Sequence, residues 1–174
     1  NPKATGTLVL DSLLPGKRLF MFASGTGIAP FASLIRDPEI YEKFEQIILI
    51  HTCRGVKDLN YGKNIVESIG KDSLIGEYAD RVFYYPTVTR ETFHTKGRIT
   101  DLLKTGQVFQ DLQLTPISSD TDRAMICGSL GLNKDIKAIL ETSGLKEGAR
   151  NRPAEFVLEK AFVGLNPIGL GQSI

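Results

Sequence analysis

The sequence predicts an α/β domain whose strands form a parallel sheet covered by helices on both faces. Three observations carry that reading. Short aliphatic runs alternate with capped or amphipathic stretches along the chain. Gln46–Thr52, QIILIHT, is a continuous aliphatic run between polar segments, the pattern of a strand buried on both faces. Leu19–Ile35, LFMFASGTGIAPFASLI, joins an apolar run to a small-residue turn and then to an apolar stretch that opens Ile28-Ala29-Pro30.

That third stretch organises the rest. Leu19 to Ala23 read as a short buried strand, Ser24-Gly25-Thr26-Gly27 as a turn, and Ile28 onward as a helix. Strand, small-residue turn and helix in this order form the phosphate-binding arrangement of open α/β sheets. Glycines let the backbone approach a ligand, and a helix start offers free N–H groups to an anion. Pro30 suits the first turn, where a missing N–H costs nothing. No Gly-Lys-Ser/Thr follows, which excludes a Walker loop, and Pro30 stands where Gly-x-Gly-x-x-Gly needs its third glycine. The spacing alone leaves a purely structural turn as the alternative.

Composition bounds the function classes. A chain of 174 residues with 41% apolar and 24% charged residues suits one real core and is near the globular average. The formal net charge of +1 argues against a general nucleic-acid binder, so any anion site must be local. Cys53 and Cys127 lie far apart and form no CxxC. With neither a disulfide framework nor a signal peptide, a cytoplasmic protein is expected. No apolar run reaches transmembrane length. The chain does not begin with Met, and residues 1–18 read like the tail of another unit, so a piece of a longer protein is expected.

Taken in order, Thr7–Leu10 is apolar and β-branched and reads as a strand, followed by a turn at Leu13-Leu14-Pro15-Gly16. After the organising stretch, Asp37-Pro38 ends the first helix, and Glu39–Glu45 reads as a short one with Asp37 or its neighbour as its cap. Gln46–Thr52 is the second strand of the sheet, and Cys53–Leu59 a polar loop. Tyr61–Ile69 has helical periodicity and stops at Gly70. Arg81–Tyr85 is the third strand, closed by Pro86, and Thr87–Arg98 a long basic loop. Thr100 caps a short helix over Asp101–Thr105, and Leu112–Asp122 is a loop. Arg123–Cys127 is the fourth strand, ending in Gly128-Ser129. Gly131–Thr142 is an amphipathic helix, with Leu132, Ile136, Ile139 and Leu140 on one side and Gly144 past its end. Glu155–Leu158 is the fifth strand, and the tail turns glycine-rich after Phe162.

Open parallel sheets bind ligands at the carboxyl ends of their strands, near the switch point. That rule gathers Ser24–Gly27, Cys53–Arg54, Thr87–Arg90 and Cys127–Ser129 into one candidate site. An NAD-specific domain usually has an acidic residue after its second strand to hold the ribose hydroxyls. Here that position reads His51-Thr52-Cys53-Arg54. Thr89, Arg90 and Arg98 add a hydroxyl and two more guanidinium groups. A 2′-phosphate carries nearly two negative charges and accepts the planar, bidentate bonds that Arg donates, so the set favours NADP over NAD. Each arginine taken singly also reads as solvated surface. Cys127 by itself reads more commonly as a small buried hydrophobe, and Glu159 by default as a surface residue. His51 and His94 have no metal-ligand spacing with each other or with the cysteines, so His51 reads as a strand residue and no metal is inferred.

The chain also resembles the NADP-binding half of bacterial-type ferredoxin–NADP⁺ reductases. The matching segments are Thr5-Gly6-Thr7-Leu8-Val9, Gly25-Thr26-Gly27-Ile28-Ala29-Pro30-Phe31, Tyr84 to Glu91 (YYPTVTRE), Gly97-Arg98, Met125 to Ser129 (MICGS) and Glu159 to Gly164 (EKAFVG). They follow the family's order over nearly the whole chain. The resemblance implies a Rossmann-like three-layer fold with a five-stranded parallel sheet of order 3-2-1-4-5. It implies an enzyme that passes electrons between NADPH and ferredoxin or flavodoxin through FAD, as a monomer, with no membrane or nucleic-acid partner. Ser24 and Gly25–Ala29 (Gly25, Thr26, Gly27, Ile28, Ala29) would then hold the pyrophosphate. Arg54, Thr89, Arg90 and Arg98 would hold the 2′-phosphate and adenosine. Cys127, Gly128 and Ser129 would lie beside the nicotinamide, and Glu159 would be the carboxylate near the hydride-transfer site. Ala161 takes the place of the plant-type terminal aromatic residue over the flavin, and Phe162 begins a tail that some bacterial members fold around FAD.

The implied organisation is residues 1–18 as the end of an FAD-binding barrel and linker, 19–164 as the NADP-binding domain and 165–174 as a tail. Ser129-Leu130-Gly131 stands where Ser-Pro is usual, a difference that bears on the turn after Cys127. The family's Arg-x-Tyr-Ser segment is absent from this sequence, so this chain by itself is expected to bind little FAD and transfer no hydride. A related flavin-dependent reductase module, a non-catalytic nucleotide-binding domain and a structural α/β domain remain the rival readings.

Overall fold

The structure, a computed structural model, describes residues 8–160. Five parallel strands form one sheet in the order β3-β2-β1-β4-β5. They are β1 (Arg18–Ser24), β2 (Gln46–Cys53), β3 (Val82–Val88), β4 (Asp122–Gly128) and β5 (Phe156–Lys160). The helices are α1 (Ile28–Leu34), α2 (Pro38–Lys43), α3 (Asn60–Ser68), α4 (Ile99–Lys104), α5 (Gln107–Leu112) and α6 (Leu130–Thr142). This is the expected three-layer arrangement and strand order.

The central strand explains the layering. Leu19 to Ala23 are all 0% exposed, and alternate side chains enter different cores. Leu19, Met21 and Ala23 pack with Ile28, Phe31, Ile40 and Ile65 from α1, α2 and α3. Phe20 and Phe22 pack with Ile99, Leu103, Val108, Ile136 and Leu140 from α4, α5 and α6. Each large side chain so buried contributes roughly 1.5–3 kcal/mol. At the amino ends of the strands, Arg18 and Asp122 stand in register on β1 and β4 and form a two-bond ion pair of 2.7 and 2.6 Å. Arg18 also donates to the carbonyls of Thr115 and Pro116, and Ser118 N–H donates to Asp122, so the buried charges are satisfied.

Several boundaries differ from the expectation. Leu10–Ser12 is a 3₁₀ turn rather than the end of a strand. Val56–Leu59, expected as loop, forms another, and Gly76–Arg81 a third. The third strand does not close at Pro86 but runs on to Val88. β3 is an edge strand, where a proline is tolerated because its missing N–H can face away from the neighbouring strand. Arg98, not Thr100, is the N-cap of α4, and α5 occupies a stretch with no expected helix. Asp37 caps α2 as expected, accepting from Glu39 N–H at 3.0 Å.

Candidate functional site

Parallel pairing sends the carboxyl ends of all five strands to one edge of the sheet. The order reverses between β1 and β4, and there the chain is packed most tightly. A Cβ on Gly27 would strike the Cys127 carbonyl, and one on Gly128 would strike the Ser24 hydroxyl and lie 2.7 Å from Leu132. Only glycine lets the two loops interlock in this way. The Ser24 hydroxyl accepts a hydrogen bond from Ser129 N–H at 3.0 Å, and the Ser129 hydroxyl accepts from Leu132 N–H as the N-cap of α6. Gly25, by contrast, has φ +51 and meets nothing within 4 Å, so the crest of the turn faces open space. Gly25, Thr26 and Ala29 are exposed, whereas Gly27 and Ile28 are buried beneath them.

On the other side of β1, sheet-like pairing continues past the strand ends. Thr89 N–H donates to the Cys53 carbonyl and Arg90 N–H to the Arg54 carbonyl, both at 3.1 Å. Arg54 and Arg90 therefore leave the sheet side by side. The loop after β3 folds back on itself: Gly97 N–H donates to the Val88 carbonyl at 3.0 Å, and the Thr87 hydroxyl donates to the Gly97 carbonyl at 2.5 Å. That closure returns Arg98 to the end of β3. Arg54, Arg90 and Arg98 are exposed, and among the described residues none of the three guanidinium groups has an ion-pair partner. A cleft of about 370 Å³ opens between α3 and this loop, with Val56, Leu59, Pro86 and Phe93 among its walls.

Cys127 and Glu159 are register partners on β4 and β5. Cys127 is 2% exposed, and burial, with a smaller contribution from the Glu159 carboxylate, pushes its thiol up to about 11. The thiol is therefore neutral at pH 7. Asn133 on α6 donates its side-chain N–H to the Glu159 carbonyl at 3.0 Å and pins the end of β5. Ala161 and Phe162 lie outside the described residues. Among those residues, no group of His, Cys, Asp and Glu side chains is arranged to hold a metal ion, and no helix is long and apolar enough to cross a membrane.

Residues 21–138 match the family model for the oxidoreductase NAD-binding domain. The chain belongs to that family. It is similar to the flavodoxin/ferredoxin–NADP reductase of Rhodobacter capsulatus, with 58% identity over 94% of this chain and 61% of that protein. It is also similar to the ferredoxin–NADP reductase of Azotobacter vinelandii, with 48% identity over 92% of this chain and 63% of that one. A crystal structure of a ferredoxin NADP⁺ reductase from Neisseria gonorrhoeae with bound FAD and NADP superposes with a TM-score of 0.78 at 27% identity, over 91% of this chain and 61% of that one. The chain thus spans about three fifths of the length of these relatives.

Within this NAD-binding domain, four contributors to the site escaped the sequence reading. His51 on β2 contacts the Gly25 carbonyl beneath the turn. Glu91 accepts from Val56 N–H at 2.8 Å and ties the loop carrying Arg54 to the loop carrying Arg90. Asn133 holds the Glu159 backbone, and its own Oδ1 is buried without a partner among the described residues. The Thr52 hydroxyl, in register with Ser24, is likewise buried and unpartnered. Glu91 lay inside a matched segment and could have been singled out. His51 and Asn133 depend on partners far away in sequence, and the burial of the Thr52 hydroxyl depends on the sheet packing.

Proposed function

We propose that this chain is the NADP(H)-binding half of a ferredoxin/flavodoxin–NADP⁺ reductase. One observation carries the reading: an open glycine turn after β1 and three exposed arginines after β2 and β3, without an ion-pair partner among the described residues, end on the same sheet edge. The residues present fit a dinucleotide carrying an extra phosphate, because the crest of the turn at Gly25 is open and, among the described residues, the guanidinium groups have no competing carboxylate partner. The relatives' names support the same activity.

In this reading the turn Gly25–Gly27, exposed at Gly25 and Thr26, and the first turn of α1, through Ile28 and Ala29, receive the pyrophosphate, with Ser24 and Ser129 holding the two loops together. Arg54, Thr89, Arg90 and Arg98 take the 2′-phosphate and the adenosine, whose base has apolar walls available in the cleft at Pro86 and Phe93. Cys127 and Gly128 form the floor for the nicotinamide. A neutral, buried Cys127 excludes water there without adding charge, and the Glu159 carboxylate stands on the adjoining strand. When bound, NADP(H) and FAD supply the hydride exchange and the division of its electron pair into single electrons. Ala161 and Phe162 are proposed to border FAD, most of which an upstream domain would hold. Residues 1–18 would belong to that domain and its linker, residues 19–164 to the NADP-binding domain and residues 165–174 to a tail.

Ferredoxin or flavodoxin is the proposed electron carrier. Two free, buried cysteines suit a reducing cytoplasm. The test is the visible spectrum of the longer protein that contains this chain. Flavin absorption bleached by NADPH, and much less by NADH, supports the proposal; a colourless protein overturns it.

A further inference from the structure

We propose that His51 is a positioning residue for the dinucleotide turn, its Nε2–H holding the Gly25 carbonyl and thereby setting the backbone that meets the pyrophosphate. The proposal rests on the NADP(H)-binding reading given above.

His51 is 0% exposed and follows four aliphatic residues, Ile47 to Ile50, in β2. An imidazole there must satisfy both ring nitrogens or lose stability. Nε2 lies 3.0 Å from the Gly25 carbonyl, which can only accept, so Nε2 carries the proton. Nδ1 is then an acceptor, and the Tyr84 hydroxyl donates to it at 3.4 Å. Burial lowers the His51 pKa and raises that of Tyr84, keeping the ring neutral and the phenol protonated. The partners therefore select one tautomer.

The surroundings are shaped for this pair. A Cβ on Gly62 of α3 would lie 3.0 Å from both His51 Nδ1 and the Tyr84 hydroxyl, so a glycine at that position lets the helix close over them. The Cys53 thiol sits 3.3 Å from His51 Nε2, so two side chains of β2 meet beneath the turn. Gly25 itself has a left-handed φ of +51 and open space where a side chain would be, so packing around that position does little to hold it. A hydrogen bond from below supplies what packing does not.

The test compares His51→Gln, whose amide can reach the Nε2 position, with His51→Asn, whose amide reaches only Nδ1, and with His51→Leu. Calorimetric titration of the chain with NADP⁺ should leave the Gln variant within about threefold of wild type and weaken the Asn and Leu variants about tenfold. A merely structural histidine predicts equal losses for Gln and Asn, and that result overturns the proposal. Nitrogen-15 NMR of the wild-type chain should find His51 in the Nε2–H tautomer; the Nδ1–H tautomer overturns the proposal even if the variants fail to fold. Absence of NADP⁺ binding in the wild-type chain refutes the functional reading and this proposal together. Wild-type binding with an unaffected His51→Asn variant refutes this proposal alone.

Discussion

Cys127 and Glu159 face each other as register partners across β4 and β5, and the carboxylate adds to burial in keeping the thiol protonated. Replacing Glu159 with Gln removes the smaller of the two influences. The midpoint of Cys127 alkylation against pH should fall from about 11 yet stay above the ordinary thiol value of 9.0, because burial is the larger cause. A midpoint that does not move would detach Glu159 from the thiol.

The glycines at the switch point are predicted to differ sharply in tolerance. Gly27→Ala drives a methyl group into the Cys127 carbonyl, a backbone atom that cannot swing aside. Urea denaturation should register a loss of about 3 kcal/mol or more, with dinucleotide binding abolished. Gly131→Ala, in the first turn of α6, meets nothing within 4 Å and should be stabilising by up to about 1 kcal/mol.

Acid should weaken the fold through His51. Its pKa is lowered from 6.5 in the folded chain by burial, so the unfolded chain binds the extra proton first as pH falls. The histidine's contribution is complete above about pH 6.5 and is lost below it, at up to roughly 1.4 kcal/mol per pH unit. Urea midpoints at about pH 7.5 and about pH 5 should differ less in His51→Gln than in wild type. An unchanged difference would mean that another group carries the acid sensitivity.

Arg90 and Arg98 are expected to act on one phosphate group. In the longer protein, replacing both with Ala should raise the KM for NADPH about tenfold or more and leave that for NADH within about twofold. Equal losses with both cofactors would remove the 2′-phosphate from their neighbourhood.

Much of the architecture was legible because the signals are local. The aliphatic run at Gln46–Thr52, the cap at Asp37 and the glycine turn at Gly25–Gly27 each state their own structure. Pro86 misled because its place in an edge strand depends on strand order, which no local pattern encodes. α5 was missed because six residues give too little periodicity, and because the non-glycine Gln113 adopts φ 55 just past its end. The site followed the same division. Loops that end strands can be gathered by rule, and Arg54, Arg90 and Cys127 do lie at one edge of the sheet. His51 could not be gathered this way, since its partner Gly25 is 26 residues away and its burial resembles that of any strand residue.

In the function proposed, the guanidinium groups at the ends of β2 and β3, without ion-pair partners among the described residues, recognise a ribose 2′-phosphate beside the glycine turn. Calorimetry of this chain with NADP⁺ and with NAD⁺ tests it most directly. NADP⁺ should bind at least about tenfold more tightly than NAD⁺, and its binding should weaken as salt is added. Equal affinity for the two dinucleotides would contradict the proposal.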